Sequence, residues 1–520
     1  MSVLLQDLVS RQAEKRPEAS AIVYGPKRLS YAQLDAASTR LARTLREAGC
    51  RKGDRVGFLY PKKPAAMVWM LGILKAGAMH VPLDAASPAA RLRRIVVACE
   101  PRFLLSAANC APLLGEILAG LEDAPRVGWM EERPEAGMRP AFTLADVAGA
   151  PCSPFDPGTK PDDPAHILFT SGSTGVPKGV VITHANVQAF IDWALAHFGL
   201  DHSDRVSGHT PLHFDLSTYD IFGAYAAGAE LHVVPLETAL LPHRLAEFIR
   251  LSRLTQWFSV PSVLGYMAKV DAVRQGDFPE LRRVLWCGEV LPTPTLIHWM
   301  KRVPHARYTN LYGPTEATIA SSYYDVPECP GDPTEHIPIG RACGGEEILL
   351  IDNEIHIAGA GLSPGYWADP EKTAAAFVPH ATRTGERMYR TGDLGRRRPD
   401  GLFELIGRTD TQIKSRGYRI ELGEIEAALA SLASLRESAV VAIPSGGFEQ
   451  WLICCAYAPM SGAQATPATL RAALARLVPS YMLPARWARY DALPRNANGK
   501  VDRPALKQSF SAVPMAALET

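Results

Sequence analysis

Residues 166–183 constrain this chain more than any other segment. The apolar run His166-Ile167-Leu168-Phe169 reads as the end of a buried strand, and Val180-Val181-Ile182 reads as the next one. Between them stands Thr170-Ser171-Gly172-Ser173-Thr174-Gly175-Val176-Pro177-Lys178-Gly179. It carries four hydroxyl side chains, three glycines and a lysine. A tight loop of this kind brings backbone N–H groups close to an anion, while hydroxyls donate to its oxygens and the lysine offsets charge. The loop is built to hold phosphates. It lacks the G-x-x-x-x-G-K-[ST] spacing of the nucleoside-triphosphatase loop.

The rest of the chain sets the scale. With 520 residues, 47% of them hydrophobic, it can bury a large core and more than one domain is expected. Net charge is +1, so neither nucleic acid nor an anionic membrane is indicated as a partner. The longest uninterrupted apolar run, Ala65 to Leu74, is too short to span a bilayer and is closed by Lys75. The N-terminus has no signal-peptide cleavage pattern. Nine cysteines are scattered without a C-x-x-C pair, and the adjacent Cys454 and Cys455 read as free core thiols. A reducing cytoplasm fits these features. His209 and His213 have no cysteine or carboxylate cluster at ligand spacing, which argues against zinc there.

From Leu29 to about Pro379, apolar runs alternate with amphipathic segments, the pattern of layered α/β architecture. Thr183 is placed to cap a helix with Val187, Phe190, Ile191, Ala194, Leu195 and Phe198 on one face. Residues 122–163, rich in Pro, Asp and Gly, read as a surface excursion. After Asp410 the texture changes to a compact α+β unit of domain size. It has a helix aligning Ile425, Leu429 and Leu432, strands near 440–443 and 452–457, and a helix over 467–477.

Further segments, in order, are "LKAGAMHVPLD" (74–84), "FDLSTYDIFGAYAAGAEL" (214–231), "NLYGPTEATIA" (310–320) and "EIHIAGAGLSPGYW" (354–367). Then come "YRTGDLG" from Tyr389, "GRTDTQIKSRGYRIELGEIE" from Gly407 and "NANGKVDR" ending at Arg503. With the phosphate loop, these make the chain resemble the adenylate-forming superfamily, which includes nonribosomal peptide synthetase adenylation domains, acyl-CoA synthetases and luciferases. The resemblance covers nearly the whole chain. It implies a large N-terminal α/β core domain, residues 1–409, and a small mobile C-terminal α+β lid, residues 410–520, hinged at Asp410.

The implied chemistry is attack of a carboxylate on the α-phosphorus of ATP with loss of pyrophosphate, followed by transfer of the acyl group to a thiol. Such a reaction needs positioned anions and positive charge where repulsion concentrates. By the resemblance, Thr170, Ser171, Gly172, Ser173, Thr174, Gly175 and Lys178 grip the phosphates of ATP. Glu316 binds Mg2+, a hard cation that prefers oxygen ligands. Thr315 contacts the α-phosphate, Tyr312 stacks on adenine, and Asp393 and Arg408 hold the ribose. Lys500 bridges carboxylate and α-phosphate in adenylation, and Lys414, with Gly417, serves thioester formation.

Asp215 occupies the place where amino-acid-activating relatives pair an aspartate with the α-ammonium; a buried carboxylate is costly without such a cation. The other implied pocket residues are Leu216, Tyr219, Ser259, Leu285, Cys287, Leu311, Ile319 and Ala320. They carry no charge and considerable bulk, so a small neutral amino acid is expected, L-alanine first, then glycine and serine. An L-prolyl ligase is the alternative, and a coenzyme A ligase for a small acid is a further one that Asp215 disfavours. With twenty residues after Lys500, the expected thiol is the phosphopantetheine arm of a separate carrier protein in natural-product biosynthesis. Arg471, Arg476, Arg486 and Arg489 are candidates to dock an acidic carrier.

Overall fold

The computed structural model describes residues 3–172, 175–445, 451–496 and 499–512. The chain divides into two compact units. One comprises Met1–Ala85, Ala98–Phe169 and Gly179–Thr409; the other comprises Ala86–Val97, Thr170–Lys178 and Asp410–Thr520.

Among the described residues, the larger unit contains a nine-stranded sheet. Its parallel centre runs Arg307–Tyr312, Arg283–Cys287, Gln256–Ser259, Arg205–Gly208, Glu230–Val233, Ser20–Tyr24. An eight-stranded sheet places Lys178–Thr183 and Pro164–Thr170 beside Met79–Leu83 and Arg55–Leu59. Parallel strands are covered on both faces, which explains their near-continuous Val, Ile and Leu. Alternate residues of one strand therefore enter different cores. In Arg283–Cys287, Leu285 and Cys287 join one apolar cluster while Val284 and Trp286 join another.

The helix His184–Phe198 starts where its capping residues dictate. Thr183 Oγ1 accepts from the backbone N–H of Asn186, and Asn186 Oδ1 accepts from that of Thr183, both at 3.1 Å. Gly199, at φ +64°, supplies the left-handed residue that ends it. The helix Pro64–Lys75 is apolar nearly all round because it is enclosed. Its terminal Lys75 is buried and donates to Asp35 at 2.7 Å and Thr39 at 2.9 Å. No described helix is long and apolar enough to cross a membrane.

Two expectations are corrected. Residues 122–163 do not simply wander over the surface: Arg126–Trp129 and Phe142–Thr143 pair as edge strands, and Leu144–Gly149 is a short helix. Trp129 and Phe142 are buried there, outweighing the turn-rich composition around them. From Ser322 to Arg408 the alternation of strands and helices gives way to antiparallel pairing, interrupted by the helix Pro370–Ala376. The signal for that was local. Asp352 and Asn353, at φ +51° and +64°, form a two-residue hairpin turn of the kind Asp and Asn tolerate.

The smaller unit has a two-stranded ribbon, Gln412–Ser415 with Tyr418–Glu421, and a three-stranded sheet of Leu435–Pro444, Trp451–Pro459 and Arg486–Arg489. Its helix Leu422–Ala430 ends before Leu432, and the helix from Pro467 ends at Leu474 rather than 477. Cys454 and Cys455 are buried free thiols, and burial pushes the Cys454 thiol up to about 12.

Three histidines in the larger unit make its stability pH-dependent. His80 stacks on His166 with ring centroids 5.0 Å apart, and neither nitrogen of His80 finds a hydrogen-bond partner among the described residues. Burial holds His80 well below the ordinary imidazole range and lowers His166 to about 3; it lowers His184 to about 4 against the opposing pull of Asp163. An unfolded histidine titrates near about 6.5, so below that pH the unfolded chain binds protons that the folded one refuses. Their stabilisation is complete above about pH 6.5 and declines as pH falls toward 4, by about 1.4 kcal/mol per pH unit for each histidine. Urea denaturation across that window should show the decline, and His80→Leu should make it shallower.

Candidate functional site

In the larger unit, the helix Leu216–Ala227 is buried over its first ten residues, and Asp215 stands at its N-terminal end with 9% of its surface exposed. Around this helix the sheet assembles an apolar cluster. It takes Leu216 and Tyr219 from the helix, Leu285 and Cys287 from one strand, Leu311 from the next, and Ile319 and Ala320 from the turn that follows. Phe190 and Ala194 join it from His184–Phe198. Every residue expected to line the amino-acid pocket is thus gathered here except Asp215, which borders it through Leu216, and Ser259.

Ser259 lies on the other face of its strand. Its Oγ accepts the indole N–H of Trp257 at 2.9 Å, and Phe258 is the residue that joins the cluster, edge-on to Tyr219 at 5.7 Å. The two-residue period of a strand gives the reason: Ser259 shares its face with Trp257. Ile319 is held at φ +70°, a costly conformation for a β-branched residue. Its carbonyl accepts from Cys287 Sγ at 3.7 Å, and the neighbouring Thr318, at φ +54°, donates to Gly361 O at 2.7 Å.

A polar group gathers around Tyr312. The Tyr312 hydroxyl donates to Asp393 Oδ2 at 2.7 Å, and the Arg408 guanidinium donates to Asp393 Oδ1. Asp393 and Arg408 face each other across the hairpin of Arg387–Arg397 and Phe403–Arg408. Burial, reinforced by Asp393, pushes the Tyr312 phenol well above its usual value, so it remains a donor. Both Asp393 oxygens are already engaged; a carboxylate has about four lone-pair positions, which leaves acceptors for two further hydroxyls.

Glu316 is wholly buried, its Oε1 accepting from the Tyr366 hydroxyl at 2.8 Å and its backbone carbonyl from Ser363 N at 2.9 Å. Among the described residues no group of three or more His, Cys, Asp or Glu is arranged to hold a metal ion. One buried carboxylate suits a magnesium ion whose remaining ligands are water and substrate phosphates. Thr315 Oγ1 donates to Asp215 Oδ2 at 2.7 Å, tying this turn to the N-terminal end of the helix Leu216–Ala227.

Sequence reasoning missed Lys62 and Asp220. The Lys62 ammonium donates to Gly208 O at 2.6 Å, to Thr210 O at 3.2 Å and to His209 O, pinning three successive carbonyls of the segment that leads to Asp215. Burial lowers it to about 7 while Asp220 opposes that fall; burial raises the Asp220 carboxyl well above the usual range while Lys62 pulls it down. Lys62 belongs to the ordinary-looking Lys62-Lys63-Pro64, and no local signal separates it from a solvated helix start. Removing one member of a buried pair is costly. Lys62→Met is expected to lower stability to urea by about 2–4 kcal/mol, with Asp220→Asn recovering part of the loss in the double variant.

In the smaller unit, Ser171 Oγ donates to Arg419 O at 2.6 Å. Arg94 donates to Gly175 O at 2.7 Å and to Leu477 O at 2.9 Å, and Arg91 makes a buried ion pair with Glu424. These bonds attach 86–97 and 170–178 to the chain after Asp410. Thr170 ends the strand Pro164–Thr170, Lys178 begins Lys178–Thr183, and Gly172 lies between them. Ser173 and Thr174 lie outside the described residues, as does Asn498. Asp410 Oδ1 accepts from Gln412 N at 3.2 Å, and Lys414 lies in the ribbon strand Gln412–Ser415, ahead of Gly417 at φ +81°. Lys500 is exposed in a turn where its N–H donates to Asn496 Oδ1 at 3.1 Å. Of the candidate docking arginines, Arg476 and Arg489 are exposed, Arg471 donates to Pro484 O and Arg486 to Phe510 O.

Comparison with known families decides the assignment. The model described as AMP-binding enzyme matches residues 9–367, and that of the AMP-binding enzyme C-terminal domain matches 424–500. The chain belongs to the AMP-binding enzyme family. Within this family it is 33% identical over 521 residues to an L-proline–[L-prolyl-carrier protein] ligase of Pseudomonas fluorescens, covering 97% of this chain and 98% of that one. It is also 33% identical to tyrocidine synthase 3 of Brevibacillus parabrevis, with 96% of this chain aligned but only 8% of that protein's length. Among solved structures it resembles the AMP-binding fold of the Vibrio cholerae adenylation domain AlmE, crystallised with glycyl-adenosine-5'-phosphate. There the TM-score is 0.83 and the identity 25%, over 99% of this chain and 98% of that one. IdnL1 matches at 30% identity and TM-score 0.77 over 95% of this chain.

Proposed function

We propose that this AMP-binding enzyme activates an amino acid with ATP and passes the aminoacyl group to the phosphopantetheine thiol of a carrier protein. In the first step a carboxylate oxygen bonds to the α-phosphorus as pyrophosphate leaves. In the second a thiolate attacks the acyl carbon as AMP leaves. The observation that carries the reading is Asp215, a carboxylate nine-tenths buried beside an apolar cluster, where it calls for a cation that an α-ammonium supplies. Thr315 and Glu316 bear on the phosphates, and Asp393 with Arg408 on the ribose. Magnesium bound at Glu316 would neutralise phosphate charge. Lys500 is proposed to act in adenylation, Lys414 in thiolation, and Asp410 as the hinge between domains 1–409 and 410–520.

The lining supports a small apolar side chain. Leu216, Tyr219, Leu285, Leu311, Ile319 and Phe258 occupy the cluster, and Ser259 is committed to Trp257, which removes a partner for a serine hydroxyl. L-alanine follows from the bulk of these residues. L-proline has a specific observation in its favour, the end-to-end match to a proline–carrier protein ligase. A pyrophosphate-exchange panel of glycine, both enantiomers of alanine, serine and proline, β-alanine, and representative short fatty and aromatic acids tests the proposal. Exchange with L-proline or L-alanine above the others supports it; exchange with short fatty or aromatic acids alone refutes it.

A further inference from the structure

We propose that the Thr315 hydroxyl is shared between the amino-acid and nucleotide sides of the site, so that an ammonium at Asp215 releases a donor for the phosphate and the two substrates bind cooperatively. The inference rests on the amino-acid reading above and goes beyond it by assigning the coupling to one proton.

Three features converge on this hydroxyl. Thr315 Oγ1 donates to Asp215 Oδ2 at 2.7 Å, and Asp215 is nine-tenths buried with no capping bond to its own helix. Thr315 opens the single turn Thr315–Ala317 and precedes Glu316, which is locked by Tyr366. It also lies three residues after Tyr312, which is tied to Asp393. Its hydroxyl therefore joins the residue proposed to read the ammonium to the segment proposed to meet the phosphates.

A threonine hydroxyl has one proton to donate. While the carboxylate is ionised and no substrate ammonium is present, it attracts that proton through a charge-assisted bond, roughly twice as strong as a neutral one. An ammonium at Asp215 supplies a full positive charge and its own donors, so the claim of the carboxylate on Thr315 weakens. The hydroxyl then turns by rotation about one bond toward a phosphate oxygen. Without the ammonium, the same donation to phosphate costs the carboxylate a partner. The coupling is a free energy and acts in both directions: nucleotide must tighten the amino acid by the same factor. Attraction between ammonium and phosphate alone also yields cooperativity, but that part is indifferent to the hydroxyl.

Calorimetry on the full chain separates the two. ATP with magnesium is titrated with and without L-prolinol or L-alaninol, amino alcohols that carry the ammonium and lack the carboxylate needed for reaction. The native protein is expected to bind ATP about tenfold more tightly when the amino alcohol is present, corresponding to about 1.4 kcal/mol. In Thr315→Val, a near-isosteric change, the ratio should fall by at least about threefold, leaving only the part that direct attraction between ammonium and phosphate supplies. Thr315→Ser, which keeps the hydroxyl, should restore most of it. Binding of the amino alcohol with no effect on ATP affinity in the native protein overturns the inference, as does coupling of undiminished size in Thr315→Val. If neither amino alcohol binds, the amino-acid reading itself falls and this inference with it.

Discussion

Replacing Lys500 by alanine is expected to lower amino-acid-dependent pyrophosphate exchange by about 10²–10³-fold, the usual loss when a donor to developing charge is removed. Thiolation of a carrier protein from supplied aminoacyl adenylate should fall only a few-fold. The contrast follows from charge. Adenylation brings a carboxylate against a phosphate, and repulsion between them is greatest before the new bond forms. Thiolation begins with that repulsion already spent, since the acyl group and AMP share one molecule. Lys500 sits exposed in a turn held by Asn496 rather than in a buried ion pair, so its removal should leave the urea midpoint unchanged. Equal loss in the two assays would reject separate roles for Lys500 and Lys414.

The second large effect is expected at Asp215. Asp215→Asn keeps the shape and can still accept from Thr315, but it removes the negative charge proposed to pair with the ammonium. Truncating one partner of a buried charge pair costs about 2–5 kcal/mol, so kcat/KM for the amino acid should drop by about 30- to several-thousand-fold. The loss should be concentrated in the amino acid rather than in ATP measured alone. Discrimination against the corresponding acid lacking the amino group should shrink in parallel, because a neutral amide no longer demands a cation. Retention of that discrimination in Asp215→Asn would place ammonium recognition elsewhere.

These experiments address residues that differ in how visible they were along the chain. Thr183 announced its helix by local chemistry, since a hydroxyl followed three residues later by an amide forms a reciprocal cap whatever surrounds it. The Asp352–Asn353 turn was equally local, and it folds Glu354–Gly359 back antiparallel onto Glu346–Ile351. Leu216, Leu285, Cys287, Leu311, Ile319 and Ala320 could be collected because motif spacing places them, and they meet in one cluster. Ser259 could not be judged that way. Its role turns on strand parity beside Trp257, and a shift of one residue moves a side chain from one core to the other.

Lys62 marks the limit from the opposite direction. A lysine before a helix is usually solvated, and only the approach of residues 208–210, nearly 150 positions later, makes it a half-buried anchor. The order of motifs along this chain determined its family and the kind of chemistry its side chains are suited to, because those depend on residue types at short fixed separations. Only the tertiary structure decided that Thr315 reaches Asp215, that Phe258 rather than Ser259 joins the apolar cluster, and that the half-buried Lys62 lies within reach of the charge of the buried Asp220. Such contacts are made between segments far apart in the chain, and burial there alters the strength of a charge or hydrogen bond in ways no local pattern encodes.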